Sequence, residues 1–438
     1  MKKKNRIKRS DYNRSLITET LPFETPIIFS NDGLYDQINS LEISNEIQQA
    51  IIKALVLGEG LNKSINSTSP YIYKVRKNSS EFRRLALLHP SSQWQIKCFY
   101  QRYENLILHY CAHSPASIRA PRRIAGSFYS KSSWENINQY KNGGIALDSL
   151  DRYVKHTPSY FSYHRYDRLY KFFNSKDYFS LEKQFSILMT LDVSKCFDSI
   201  YTHSLSWAIK DKEFTKTNVA VSSTFAQDFD QVIRHGNHNE TNGIPIGPEA
   251  SRVFAEIIFQ EIDRRTIAKL GDLKFGIDYA FRRYVDDVFI FSENEKTAKL
   301  VYEMYADVLV AFNLHANSSK SSILHRPFVT TKSRLIFESS LRTNEFFEKF
   351  LEEGGNGNLK PKKVFSQWKL TKSYIDSIKS ICSFSSSGYD ELASFLISVM
   401  TERIKKLVHN DPAADAQENA ENYVSALDVL IEILFFLY

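Results

Sequence analysis

Apolar residues return at helical spacing in several parts of the chain. The clearest case runs from Glu249 to Lys269, EASRVFAEIIFQEIDRRTIAK, and predicts one long helix. Between Glu46 and about Glu104 the segments IQQAIIKALVLGEG, SSEFRRLALL and WQIKCFYQRYENLILHYCA repeat the pattern, separated by Asn, Ser and Pro, and predict a helical entry domain. The stretch from Pro115 to Tyr178 is rich in Arg, Lys, Ser and Tyr and reads as a basic aromatic surface more than a core. Two short segments, ILMTLDVSKCF around Asp192 and FRRYVDDVFIFS around Asp286, are β-prone. A strand, a helix and a β-hairpin in that order describe a small α+β domain. Beyond about Thr331 the pattern turns mostly helical, with candidate helices at Phe365 to Cys382, Leu392 to Val408 and Glu418 to Leu437. EEGGNGNLKPKK, from Glu352 to Lys363, reads as a linker.

Composition narrows the class. The 438 residues are 42% hydrophobic, enough to fill two or three domain cores without disulfides. Cys98, Cys111, Cys196 and Cys382 stand far apart with no CxxC pair, and the basic start KKKNRIKR leads into no apolar run. The expectation is a cytoplasmic protein without a membrane span. An excess of 57 basic over 50 acidic residues favours a polyanionic partner, and the 24 Tyr and 31 Phe include rings able to stack on unpaired bases.

The acidic residues carry the chemistry. Asp192 follows the apolar run Ile187 to Leu191, where a strand would emerge at the edge of a core. Asp286 and Asp287 lie between two β-prone flanks, so a hairpin turn could bring both carboxylates toward one site, which a regular strand would not. Three carboxylates from two elements repel one another unless cations neutralise them. Magnesium fits, because it prefers oxygen ligands and keeps room for water and phosphate. The alternative is three turn aspartates with no common site.

YVDD at Tyr284 to Asp287, preceded by LDVSKCFDSI and by GIPIGPEASRVFAEI at Gly243 to Ile257, resembles the palm signature of reverse transcriptases. The resemblance covers about residues 185–324. It implies a right-hand polymerase fold, with a helical and basic N-terminal and fingers region over 1–190, a palm over 185–330 with a fingers insertion near 210–240, and a helical thumb-like or accessory region over 331–438. It also implies two Mg2+ ions, with Mn2+ as an alternative, held by Asp192, the Val193 carbonyl and Asp286, with Asp287 supporting. Phe197 takes the place of the bulky residue under the incoming sugar, where a ring would exclude a 2′-hydroxyl. Gly243, Gly247 and Ser251 fall in the loop and helix start that line the template and nucleotide pocket, although Ile246 stands where the family commonly has glutamine. Lys320 falls where a basic residue approaches the triphosphate and is assigned to charge stabilisation or proton donation.

Arg119, Arg122 and Arg123 in SIRAPRRIAG, with Arg165 and Arg168 in SYHRYDRLYKFF, offer planar forks suited to phosphate oxygens. They match the fingers of prokaryotic reverse transcriptases in position, with Arg119 or Arg122 assigned to the triphosphate and the others to nucleic acid. Both segments tilt the resemblance toward the abortive-infection and retron-like enzymes of anti-phage defence. That implies dNTPs as substrates and a non-coding RNA template, a DNA product, or both as partners, with homo-oligomerisation left open. Three alternatives stand beside RNA-templated synthesis: protein-primed, template-independent synthesis; an inactive RNA-binding scaffold; and an RNA-dependent RNA polymerase, against which Phe197 speaks.

Overall fold

The computed structural model describes residues 6–22, 24–26, 29–40, 45–57, 67–76, 81–126, 128–129, 159–166, 168–217, 224–329, 331–353, 359–383, 388–409 and 417–438. The chain divides into two compact units, and the larger ends at Phe328. It contains α-helices with antiparallel strands β1 (Arg6–Ile7), β2 (Tyr71–Arg76), β3 (Phe82–Leu87), β4 (Pro121–Ile124), β5 (Phe128–Tyr129), β6 (Phe161–Tyr163), β7 (Ile187–Asp192), β8 (Tyr279–Tyr284), β9 (Asp287–Ser292) and β10 (Ile323–His325). This mixture, followed by a mainly helical C-terminal stretch, is the expected fold class.

At the centre is a sheet of order β10-β7-β9-β8. Its strands are apolar on both faces because both are covered. On one face Met189, Phe281, Val288 and Ile290 join the main core, to which the 249–269 helix contributes Val253, Phe254 and Ile258. On the other, Leu188, Ala280, Phe289 and Phe291 pack against Phe172, Tyr178 and Leu181. The helix spans Glu249–Lys269 as its periodicity predicted.

Two local expectations differ, and one segment about which the sequence said little joins the core. SSEFRRLALL is not a helix: Phe82–Leu87 is β3, paired with β2 from Tyr71↔Leu87 to Arg76↔Phe82. Its Leu85, Ala86 and Leu87 are buried only at the end where the hairpin meets the core, so the apolar cluster reflects a strand end. Nor is the 115–178 stretch simply a surface, since Ile118, Tyr160, Phe161 and Phe172 are fully buried aromatic and aliphatic core. The N-terminal segment is core as well: the buried Arg14 guanidinium donates to the carbonyls of Gly126 (3.0 Å) and Ala125 (3.1 Å).

The smaller unit, from Val329 onward, holds helices Thr331–Glu348, Gln367–Cys382, Gly388–His409 and Gln417–Leu437 around Leu392, Leu396, Met400, Val429 and Ile433. The linker-like segment is bounded by two paired strands, β11 (Leu351–Glu353) and β12 (Leu359–Pro361); its Gly- and Asn-rich middle lies outside the described residues.

Candidate active site

β7 ends at Asp192, which pairs with Asp287, the first residue of β9, and Asp287 pairs with Tyr284 at the end of β8. Val285 and Asp286 form the two-residue connection between β8 and β9. Val285 has φ +59°, a conformation that β-branched residues rarely adopt. The hairpin thus places Asp286 in the turn beside Asp287 and brings both to the strand end that carries Asp192.

The electrostatics follow from this crowding. Burial raises the pKa of Asp287 to about 7, with further contributions from Asp286 and Asp192. Asp286 is raised by burial first and then by Asp192, while backbone hydrogen bonding, Lys320 and Arg252 act in the opposite sense. The Asp192 carboxylate is engaged by Lys320 Nζ at 3.0 Å and by Asn317 Nδ2 at 3.2 Å. Hydrogen bonding to Asp192 raises the pKa of Lys320.

Segment 315–320 reaches this place because it is laced to β7. Asn317 N–H donates to Asp192 O (2.8 Å), Ser194 N–H donates to His315 O (2.8 Å), and Val193, whose side chain is buried, bridges to Ala316. Among the described residues no three His, Cys, Asp or Glu side chains form a ready-made metal cluster. The donor set nevertheless suits a hard divalent cation: three carboxylates repel one another, and Lys320 supplies compensating positive charge at Asp192.

Phe197 lies in the short helix Cys196–Ser199 and is half-buried against the main core. Its carbonyl accepts from Ile244 N–H (2.9 Å), which ties the GIPIG loop to the turn after β7. Gly243 and Gly247 have φ +84° and +125°, and both are closely approached by the chain itself. A Cβ on Gly243 would meet Asp198 O at 3.2 Å, and one on Gly247 would meet the Pro22 ring at 2.7 Å. Ser251 is fully buried in the following helix and presents no surface to a ligand.

Arg119 is occupied. It pairs with Glu249 at 2.7 Å and stacks 4.3 Å from the Tyr163 ring centroid, with Tyr284 at 6.0 Å. Burial opposes its charge, and Glu249 outweighs that effect and raises its pKa. Arg122 and Arg123 are exposed on β4, where a bulge breaks the alternation. Arg122 Nη1 lies 2.9 Å from His164 Nδ1, and Arg165 Nε lies 2.9 Å from His164 Nε2. A neutral imidazole accepts at one nitrogen only, so the two guanidiniums share one acceptor and keep donors for an anion. Arg165 also pairs with Asp177 at 2.8 Å. Arg168 precedes the Leu169–Phe173 helix and is half-buried.

Sequence reasoning missed Asn317, although it stands three residues before Lys320, and the basic hairpin β2–β3. Lys74 lies directly opposite Arg84 on one face of that hairpin. Such like-charged pairs are unfavourable unless a counter-charge is near. The hairpin base is fixed to the GIPIG loop by Ala86 N–H donating to Ile246 O at 2.9 Å.

Residues 147–363 match the family described as "Reverse transcriptase (RNA-dependent DNA polymerase)". No curated protein matches the chain. Among solved structures, apo telomerase from Candida tropicalis aligns at 13% identity and TM-score 0.38, covering 96% of this chain and 69% of that one. Telomerase from Candida albicans, in complex with a TWJ fragment of telomeric RNA, aligns at 11% identity and TM-score 0.32, covering 97% and 74%. At such scores these two likenesses carry no argument about mechanism. No described helix is long and apolar enough to cross a membrane. What the family match establishes is a distant reverse-transcriptase homology, and it spans the segment that holds Asp192, Asp286, Asp287 and Lys320.

Proposed function

We propose that this chain is a reverse-transcriptase-type polymerase that adds deoxynucleotides, with Asp192, Asp286 and Asp287 as its catalytic carboxylates. The observation that supports this most is the pairing of Asp192 with Asp287 next to the Val285–Asp286 turn, which gathers three carboxylates at one strand end. Asp192, the Val193 carbonyl and Asp286, supported by Asp287, would hold two Mg2+ ions, or Mn2+ in their place. When bound, these ions would lower the pKa of a primer hydroxyl and stabilise the departing pyrophosphate.

The chain's own groups do the rest. Lys320 keeps a proton beside Asp192 and can lend charge or a proton to the phosphates as the carboxylates turn to the metal. Phe197, anchored through its backbone to Ile244, limits the space under the sugar. Arg122, Arg123, Arg165 and the β2–β3 hairpin offer cations to nucleotide or template. Arg119 acts from a different position, holding Glu249 at the start of the 249–269 helix.

The test is incorporation of labelled dNTPs and rNTPs with Mg2+, using an RNA template and primer, against Asp286→Asn as control. Deoxynucleotide addition above the control supports the proposal. No addition above it, with any template or none, would leave the RNA-binding scaffold as the better reading, and a preference for rNTPs would favour an RNA polymerase. The sequence resemblance to defence enzymes extends the proposal to copying a non-coding RNA during phage infection, which sequencing of copurifying nucleic acid addresses. Protein priming is the second reading, in which one of the chain's 24 tyrosines would supply the hydroxyl in place of a primer. A nuclease-resistant nucleotide on a tyrosine, detected by mass spectrometry, would support it.

A further inference from the structure

Alternation along β8 turns Tyr279, Phe281 and Arg283 to the same face, the one covered by the 249–269 helix. A guanidinium placed in such a core must be paired and hydrogen-bonded, and Arg283 is fully buried. Its Nε bonds Asp263 Oδ2 at 2.9 Å, and its Nη1 and Nη2 bond the two Glu256 oxygens at 2.8 and 3.0 Å. Tyr305 and Ser114 hydroxyls donate to Asp263 at 2.8 and 2.7 Å and fix it from the far side.

One further bond leaves this cluster toward the hairpin turn: Arg283 Nη1 donates to Val285 O at 3.0 Å. The Val285–Asp286 peptide is planar, so fixing its carbonyl also fixes the direction of the Asp286 N–H. The peptide is therefore held at its oxygen by Arg283, and the Asp286 Cα that follows in the same plane is fixed with it. Val285 keeps its positive φ beside this restraint. Glu256 and Asp263 take three of the five guanidinium N–H groups and Val285 O takes a fourth, so the arginine that the core neutralises is also tied to the turn.

We infer that Arg283 is a positioning residue for Asp286, setting the direction of its carboxylate through the Val285–Asp286 peptide. This rests on the reading of Asp286 as a metal ligand. The test uses the full chain and Mn2+ alone, with binding followed by electron paramagnetic resonance or calorimetry without nucleotide. Arg283→Lys retains a buried cation between Glu256 and Asp263 but loses the planar fork that reaches both the carboxylates and Val285. Its Mn2+ affinity, measured below the variant's own melting temperature, is expected to fall at least tenfold. The Mg2+ concentration for half-maximal incorporation should rise in parallel, while the rate at saturating Mg2+ largely recovers.

Should the lysine variant fail to fold, Arg283→Met combined with Glu256→Gln and Asp263→Asn removes all three charges together and serves the same comparison. Wild-type affinity for Mn2+ in either folded variant overturns the inference and leaves the proposed function intact. Wild-type protein that binds no Mn2+, or binds it equally after Asp286→Asn, overturns the proposed metal site and this inference with it.

Discussion

Pro22 lies over Gly247 so closely that a Cβ on the glycine would stand 2.7 Å from both Cβ and Cγ of the proline ring. Gly247 also has φ +125°, so Gly247→Ala meets a steric and a backbone penalty together. The expected loss of stability is about 1–3 kcal/mol, as for overpacked sites. Pro22→Gly should recover part of it, because the ring is removed and the backbone strain is not. Urea unfolding of the two single variants and the double variant measures this, and strictly additive effects would refute a direct contact.

Asp192→Asn and Asp286→Asn should each reduce nucleotide addition to the level of a no-enzyme control. Neither should lower stability by more than about 1 kcal/mol, because each removes charge from a cluster that repels itself. Retained addition by either purified, folded variant would sink the assignment. Lys320 is 58% exposed, so Lys320→Met should change stability by no more than about 1 kcal/mol while slowing addition at least about tenfold.

Phe197→Ala should admit ribonucleotides. The ring is half-buried against the core, so a stability loss of about 1–3 kcal/mol is expected alongside the change in selectivity. Ratios of dNTP to rNTP incorporation in wild type and variant decide the matter. An unchanged ratio places sugar selection elsewhere.

Stability should depend on pH through Glu19 and Glu249. Burial, with Glu249 nearby, raises the pKa of Glu19 to about 7 from 4.5, so the folded state holds an extra proton and stability falls as pH rises from about 4.5 to 7. For Glu249 burial acts upward, but Arg119 and Arg252 outweigh it and lower the pKa to about 2, so its contribution is lost as pH falls from about 4.5 toward 2. Glu19→Gln should flatten the upper limb, gaining on wild type by up to about 3 kcal/mol between pH 5 and 7.5. Thermal melts across that range check it, and a difference independent of pH would contradict the sign.

If the β2–β3 hairpin meets a nucleic-acid backbone, Lys74→Ala and Arg84→Ala should each weaken binding at low salt and reduce the slope of log affinity against log salt by about 1. Fluorescence anisotropy with a labelled RNA measures both. Unchanged slopes would mean that the facing cations serve no phosphate.

The sequence by itself determined the elements whose signal is local. An apolar run ending in Asp192, two β-prone flanks around Asp286 and Asp287, and an uninterrupted helical stripe from Glu249 to Lys269 state their own geometry, because strand and helix periods are written in consecutive residues. The order of these motifs also carried the resemblance to reverse transcriptases. Only the tertiary structure decided what each polar residue faces. Arg119 and Arg122 look alike in SIRAPRRIAG, yet one is closed against Glu249 and the other is exposed, because Glu249 arrives from a distant helix. The same holds for Gly247, whose close neighbour Pro22 comes from the N-terminal segment, and for Arg283, whose charge is matched by Glu256 and Asp263. β3 carries a helix-like pattern for a related reason: its apolar residues cluster where the hairpin enters the core, and that boundary is set by packing, which leaves no period in the sequence.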